Sequence, residues 1–247
     1  MKYGWKPDLP DARDHMLKAL RVPGGLPSSV DLRNGCPAVY DQGELGSCTA
    51  NAIGAAVEFD LLKQGLKDFA PSRLQIYYCE RVIEHSVGED AGAEIRDGIK
   101  VVHKTGAAPE NLWPYDVTKF AKRPPKPVFA AAAKTRVATY QRLVPTLNMI
   151  KACLAAGFPF VFGFSVYESF ESDRVARTGK MPVPKPGEQL LGGHAVMAAG
   201  YSDAKKAVLV RNSWGPDWGI KGYFWMPYEV ITNTNMADDF WTIRMIA

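Results

Sequence analysis

Four side chains spread along the chain have the types that a thiol-based acyl transfer needs. They are Cys48 as nucleophile, His194 as base, Asn212 as orienting amide and Gln42 as neutral donor. A thiol is mostly protonated near neutral pH, and its thiolate is the nucleophile. A neighbouring imidazole takes that proton, holds the thiolate as an ion pair, and later protonates a leaving amine. A neutral Asn that accepts from one ring nitrogen fixes the tautomer facing the sulfur without quenching the imidazolium. The Gln42 amide and the Cys48 backbone N–H can together hold the oxyanion of a tetrahedral intermediate. A helix-start cysteine taken alone is as readily a buried structural thiol.

The surrounding elements must bring these residues together. Asp41-Gln42-Gly43-Glu44-Leu45-Gly46-Ser47 is a Gly-rich turn that ends at Cys48. Beyond it Ile53, Val57 and Leu61 recur every fourth residue, so 48–65 is expected as a helix with Cys48 at its N-terminus. The unpaired N–H groups there favour a thiolate. Downstream, 194–201 and 207–212 read as two strands joined by a polar turn. The midpoint of His194 and Asn212 falls on Asp203, inside that turn. Barring a bulge, antiparallel pairing therefore predicts that the two residues lie opposite each other. Further helices are expected over 72–85 and 92–104. The second half carries strands over 135–143, 158–166, 223–226 and 240–246, and one helix over 146–156. Helices first and strands later imply an α+β chain with two lobes.

The composition is that of an ordinary globular protein, with 47% hydrophobic and 23% charged residues over 247 positions. A net charge of +4 without a basic block gives no argument for nucleic acid. No apolar run approaches the ~18 residues of a membrane span, and residues 1–10 show no signal-peptide core. A soluble monomer is expected, cytoplasmic or exported by a route not visible here. Cys36, Cys79 and Cys153 fit no zinc spacing with any histidine, and no C-x-x-C occurs. No metal and no organic cofactor is implied. Cys79 and Cys153 read as buried thiols, whereas Cys36 lies in a Gly-Pro loop. His15, His85 and His103 read as surface or structural. Residues 122–127 read as a Pro-rich basic linker.

Three separated stretches resemble the papain-like cysteine peptidases. The first is Gln42-Gly43 with Gly46-Ser47-Cys48. The second is Gly193-His194-Ala195-Val196. The third is Arg211-Asn212-Ser213-Trp214-Gly215 with Trp218-Gly219 and Gly222-Tyr223. Leu45 stands where the family usually has a disulfide cysteine, and Thr49 where it has an aromatic. Gly193 replaces an Asp common in plant members. The resemblance implies an N-terminal helical lobe over 27–134 and a C-terminal antiparallel β-barrel-like lobe over 135–247, with the active site between them. Residues 1–26 are then an extension that lies along the groove, offering Trp5 and Leu9 to it, or packs elsewhere. The resemblance also implies that Trp214 covers the His194–Asn212 contact. The family bridge from the Leu45 position to near Asp90 cannot form, so four free thiols are expected.

The implied activity is hydrolysis of peptide bonds in a polypeptide substrate through an acyl-enzyme on Cys48. Two alternatives keep the same residues: a transpeptidase or ligase, and a non-catalytic peptide-binding module. By the same resemblance, Gly92, Ala93 and Ile95 form one wall of the pocket for the substrate residue second from the cut. Gly163 and Ala195 stand opposite, beside Gly193 and Trp214. These walls imply a preference for Leu, Val or Phe. Asp238 and Asp239 pass near the floor, and an inward acid there would admit Arg.

Overall fold

A computed structural model describes residues 3–18, 20 and 22–247. The centre of the molecule is helix α1 (Cys48–Lys63). Every residue from Cys48 to Leu61 is buried, so the helix is enclosed all round and not along one stripe alone. The cause is its position: α2 (Arg73–Ile83) and α3 (Ile95–Lys104) pack on one side, and the sheet of the second lobe on the other. Its small residues Ala50, Ala52, Ala55 and Ala56 allow that close approach on every side.

The helical lobe also holds short strand β3 (Ala93–Glu94) and α4 (Lys126–Ala132). Helix α4 begins inside the stretch read as a linker, with Pro127 in its first turn, where a missing N–H costs nothing.

The second lobe is a seven-stranded sheet of β2 (Ser29–Asp31), β4 (Val137–Arg142), β5 (Phe160–Tyr167), β6 (Leu190–Ser202), β7 (Ala207–Arg211), β8 (Tyr223–Pro227) and β9 (Ala237–Ile246). Its order is β4-β9-β5-β6-β7-β8, with β2 paired to β6. All pairings in this sheet are antiparallel. Helix α5 (Leu147–Ala155) matches expectation. Helices α6 (Asp173–Thr178) and α7 (Tyr228–Ile231) do not, being too short to carry a period. Phe160, Phe162, Phe164, Phe170, Phe224 and Phe240 fill the core of this lobe. The fold is thus α+β and two-lobed, as the sequence implies.

The N-terminal segment threads between the lobes. Its strand β1 (Trp5–Lys6) pairs in parallel with β3. Beyond it, the described residues form a turn at 12–14 and a bridge from Met16 to Arg142. All four cysteines are free. Where the family's bridge would tie the loop before Cys48, Asp90 does so by hydrogen bonds. It accepts from the Gly46 N–H at 3.1 Å and from the Tyr77 hydroxyl at 2.5 Å.

Candidate active site

Cys48 opens α1, where its N–H has no carbonyl of the helix to reach. The turn before it is made by Gly43, at φ +58. Gln42 is fully buried and fixed on several sides. Its N–H donates to the Ser213 carbonyl at 2.9 Å, and its Nε2 donates to the Leu45 carbonyl at 2.9 Å. Its Oε1 accepts from the Ser213 hydroxyl at 2.6 Å. The Tyr115 hydroxyl donates to the Gln42 carbonyl at 2.9 Å and contacts the Ser47 hydroxyl at 2.5 Å. Ser213 and Tyr115 therefore orient the turn. Neither role is visible in the sequence, since nothing local predicts which distant side chain a buried amide or turn will meet.

His194 lies on β6 and is fully buried. Its Nε2 bonds Asn212 Oδ1 at 2.8 Å. Its Nδ1 has no hydrogen-bond partner among the described residues. Trp214 stacks over the imidazole at 4.9 Å between ring centroids and 24° between planes, while Phe164 meets it edge-on. The pairing differs from the one expected. Met197 lies opposite Arg211 and Tyr201 opposite Val208, with a bulge between, so His194 is not directly opposite Asn212. Asn212 follows the end of β7 and reaches back with its side chain.

The lobes meet at Ala195, whose backbone N–H faces the Cys48 sulfur; the N–H groups of Gly4 and Thr49 face it as well. Burial nevertheless pushes the Cys48 thiol up to about 11, and these donors offset only part of the rise. Burial likewise pulls His194 down to about 4, against the bond to Asn212. With the segment in place the pair is therefore a neutral thiol and a neutral imidazole.

The segment's contacts explain that burial. The Gly4 N–H donates to the Gly193 carbonyl at 3.1 Å, and the Gly4 carbonyl accepts from the Ala93 N–H at 2.7 Å. A Cβ on Gly4 would meet the Gly46 carbonyl oxygen at 1.8 Å, so only glycine fits there. Tyr3 lies edge-on to His194, and its hydroxyl bonds Glu171. The Trp5 ring fills the pocket expected between the lobes. A Cβ on Gly163 would lie 2.0 Å from that ring, and one on Gly193 would lie 2.8 Å from it. Ala93, Ile95 and Ala195 belong to the same buried cluster, and Gly92 backs onto Gly4. Leu9, expected as a second apolar contact, is 74% exposed.

The pocket floor is not purely apolar. Asp239 is fully buried and accepts from Trp5 Nε1 at 3.0 Å and from the Asp8 N–H at 2.8 Å. Its other oxygen accepts from Arg142 at 2.9 Å. Asp239 sits at φ +60 inside β9, next to a register shift, and this backbone kink aims its side chain inward. Asp238 turns outward, with its side chain 45% exposed. Burial, then the facing Asp8, raises the Asp239 carboxyl above the ordinary carboxylate range. Asp8 accepts from Trp241 Nε1 at 3.1 Å and from the Arg96 N–H at 3.1 Å. Asp14 bonds Arg96 and Arg142, both at 2.8 Å. The extension is thereby pinned by buried ion pairs as well as by Trp5.

No helix among the described residues is long and apolar enough to cross a membrane, and none of their His, Cys, Asp and Glu groups could hold a metal ion.

Comparison with known proteins agrees with this geometry. The family model described as papain family cysteine protease matches residues 26–242. An uncharacterised peptidase C1-like protein of Acanthamoeba polyphaga mimivirus is 46% identical, over 98% of this chain and 77% of its own length. A cathepsin B-like protein of Giardia intestinalis is 32% identical, over 81% of this chain and 69% of its own length. Among solved structures, xylellain, a cysteine protease from Xylella fastidiosa, superposes with a TM-score of 0.92 at 44% identity, covering 99% of this chain and 96% of that one. The chain belongs to the papain family of cysteine proteases.

Proposed function

We propose that the protein is a cysteine endopeptidase that acts through a Cys48 acyl-enzyme and is held masked by its own residues 3–6. One observation carries the reading. His194 gives Nε2 to Asn212 and keeps Nδ1 unbonded, while the next N–H in the chain, that of Ala195, faces the Cys48 sulfur.

In the unmasked site, His194 Nδ1 takes the thiol proton and the thiolate attacks the substrate carbonyl carbon. The negative charge moves to the carbonyl oxygen, where the Cys48 N–H and the Gln42 amide stabilise it. Collapse breaks the C–N bond, and the imidazolium protonates the leaving amine. Water, deprotonated by the same imidazole, then cleaves the thioester. Trp214 keeps bulk water from the His194–Asn212 bond.

Masking follows from the same contacts. Gly4 faces the sulfur with an N–H, and its carbonyl is taken by Ala93, so the segment occupies the space in front of the thiol. The Trp5 ring and its bond to Asp239 support a substrate side chain that is large and ends in an N–H donor.

Full-length protein and Cys48→Ala, assayed on a fluorogenic peptide with and without a competing amine, test the reading. Hydrolysis that falls below about a thousandth in the variant agrees with it. Activity retained by Cys48→Ala contradicts it, and amide products dominating in the presence of the amine would assign a transpeptidase instead.

A further inference from the structure

Glu80 is wholly buried and has no role in that mechanism. It lies on α2, beneath the first turn of α1. Its Oε2 accepts from the Thr49 hydroxyl at 2.9 Å, and its Oε1 has no hydrogen-bond partner among the described residues. Thr49 directly follows the nucleophile, and its backbone N–H faces the Cys48 sulfur. One residue therefore touches the thiol with its backbone and the acid with its side chain. On the far side α3 closes in: a Cβ on Gly98 would meet Oε1 at 2.3 Å and Ile53 Cδ1 at 2.3 Å.

The charge of this carboxyl follows from its surroundings. An ionised form would bury a full charge in a dry, packed interior with one oxygen unpaired, whereas the protonated form buries no net charge. The charged and titratable groups facing it are Arg81 and Glu84 on α2, Asp97 on α3, and the Cys48 thiol on α1. Arg81 directs its guanidinium to the carbonyls of Val87, Glu89 and Phe120 and makes no ion pair with Glu80. Burial raises the Glu80 carboxyl to about 8, with Glu84 and Asp97 adding to the rise and Thr49 and Arg81 opposing it.

We propose that Glu80 is a positioning residue that works protonated: it braces Thr49 against the nucleophile, and its ionisation at alkaline pH puts a negative charge under the thiolate and slows its reaction there. The step is loss of one proton to solvent, with no other bond changed. The proposal rests on Cys48 being the reactive thiol, but neither readout below needs peptide turnover, so failure of the peptidase reading would show separately.

The isosteric Glu80→Gln variant of the full chain tests it. The first readout is thermal stability against pH. Folded wild type keeps a proton that its unfolded state loses above about 4.5, so wild-type stability falls relative to the variant as pH rises from about 4.5 to about 8, then runs level. The second readout is the alkylation rate of Cys48 by iodoacetamide, followed by peptide mapping. The two proteins should run together below about pH 7. Above pH 8 the wild type should fall behind by roughly threefold, as a half-unit rise in the thiol's pKa implies. A stability gap independent of pH, or an equal rate offset at every pH, overturns the proposal, because either marks a group ionised throughout or a purely structural one. If the variant does not fold, carboxyl-carbon NMR of the wild type decides: titration near pH 8 supports the proposal, and titration in the ordinary carboxylate range overturns it.

Discussion

Replacing Trp5 by Ala should unmask the enzyme. The ring is 9% exposed in the docked segment and packs against Gly163 and Gly193, with Nε1 on Asp239. Truncating a buried Trp to Ala costs ~3–5 kcal/mol where the site cannot collapse. Here the loss falls on the docked state alone, because the undocked segment already exposes the ring. Taking the lower figure, and tenfold per ~1.4 kcal/mol, the docking equilibrium falls by roughly a hundredfold. The Gly4 and Asp8 contacts remain, so docking weakens without disappearing. Initial rates on a small fluorogenic peptide should rise by one to two orders of magnitude, as should the alkylation rate of Cys48. The pH dependence should change too. In the masked protein the thiol sits at about 11, so alkylation should climb about tenfold per pH unit through neutrality. In the variant the hydrated ion pair supplies thiolate at neutral pH, and the climb should flatten. Unchanged rates and an unchanged slope in a folded variant would refute the masking argument.

The remaining predictions concern the site itself. Ser213→Ala removes the hydroxyl that fixes Gln42 Oε1; kcat should fall about tenfold, a fraction of the ~10²–10³ that losing an oxyanion donor costs, while Cys48 alkylation stays the same. An equal loss in alkylation would show a general disturbance of the site instead. Peptides differing only at the residue second from the cut should be cleaved faster with Trp or Arg than with Leu, because Asp239 accepts from an N–H at the floor; Leu as the fastest would show the apolar walls to dominate. Thiol titration of denatured, non-reduced protein should find four thiols, and two or fewer would contradict the free cysteines.

The catalytic-type residues were legible because each sits in a local backbone pattern. Cys48 follows a Gly turn and opens a helix, and His194 and Asn212 flank a hairpin. Their exact pairing was not legible, because a bulge between Ala198 and Gly200 shifts the register and period alone cannot reveal it. Asp238 and Asp239 were both legible near the pocket floor, but which of them points inward was not, because the inward aim of Asp239 depends on a left-handed residue inside a strand. The path of residues 3–6 rests on tertiary contacts with both lobes, and a segment interrupted by Pro carries no period to announce them. Apolar Trp5 hinted at a buried partner. Gly4, which fits only because Gly46 presses against it, gave no signal until the two were seen together. Glu80 reads as an ordinary polar helix position, and only its surroundings make it unusual.

If Cys48 is the nucleophile of a cysteine peptidase, an epoxide-type cysteine-peptidase inhibitor should label it, as read by intact mass and peptide mapping. A single adduct on Cys48 is expected, formed faster in Trp5→Ala than in the wild type and far more slowly in His194→Ala. An adduct on Cys36, Cys79 or Cys153, or none on Cys48 even in folded Trp5→Ala, would contradict that role.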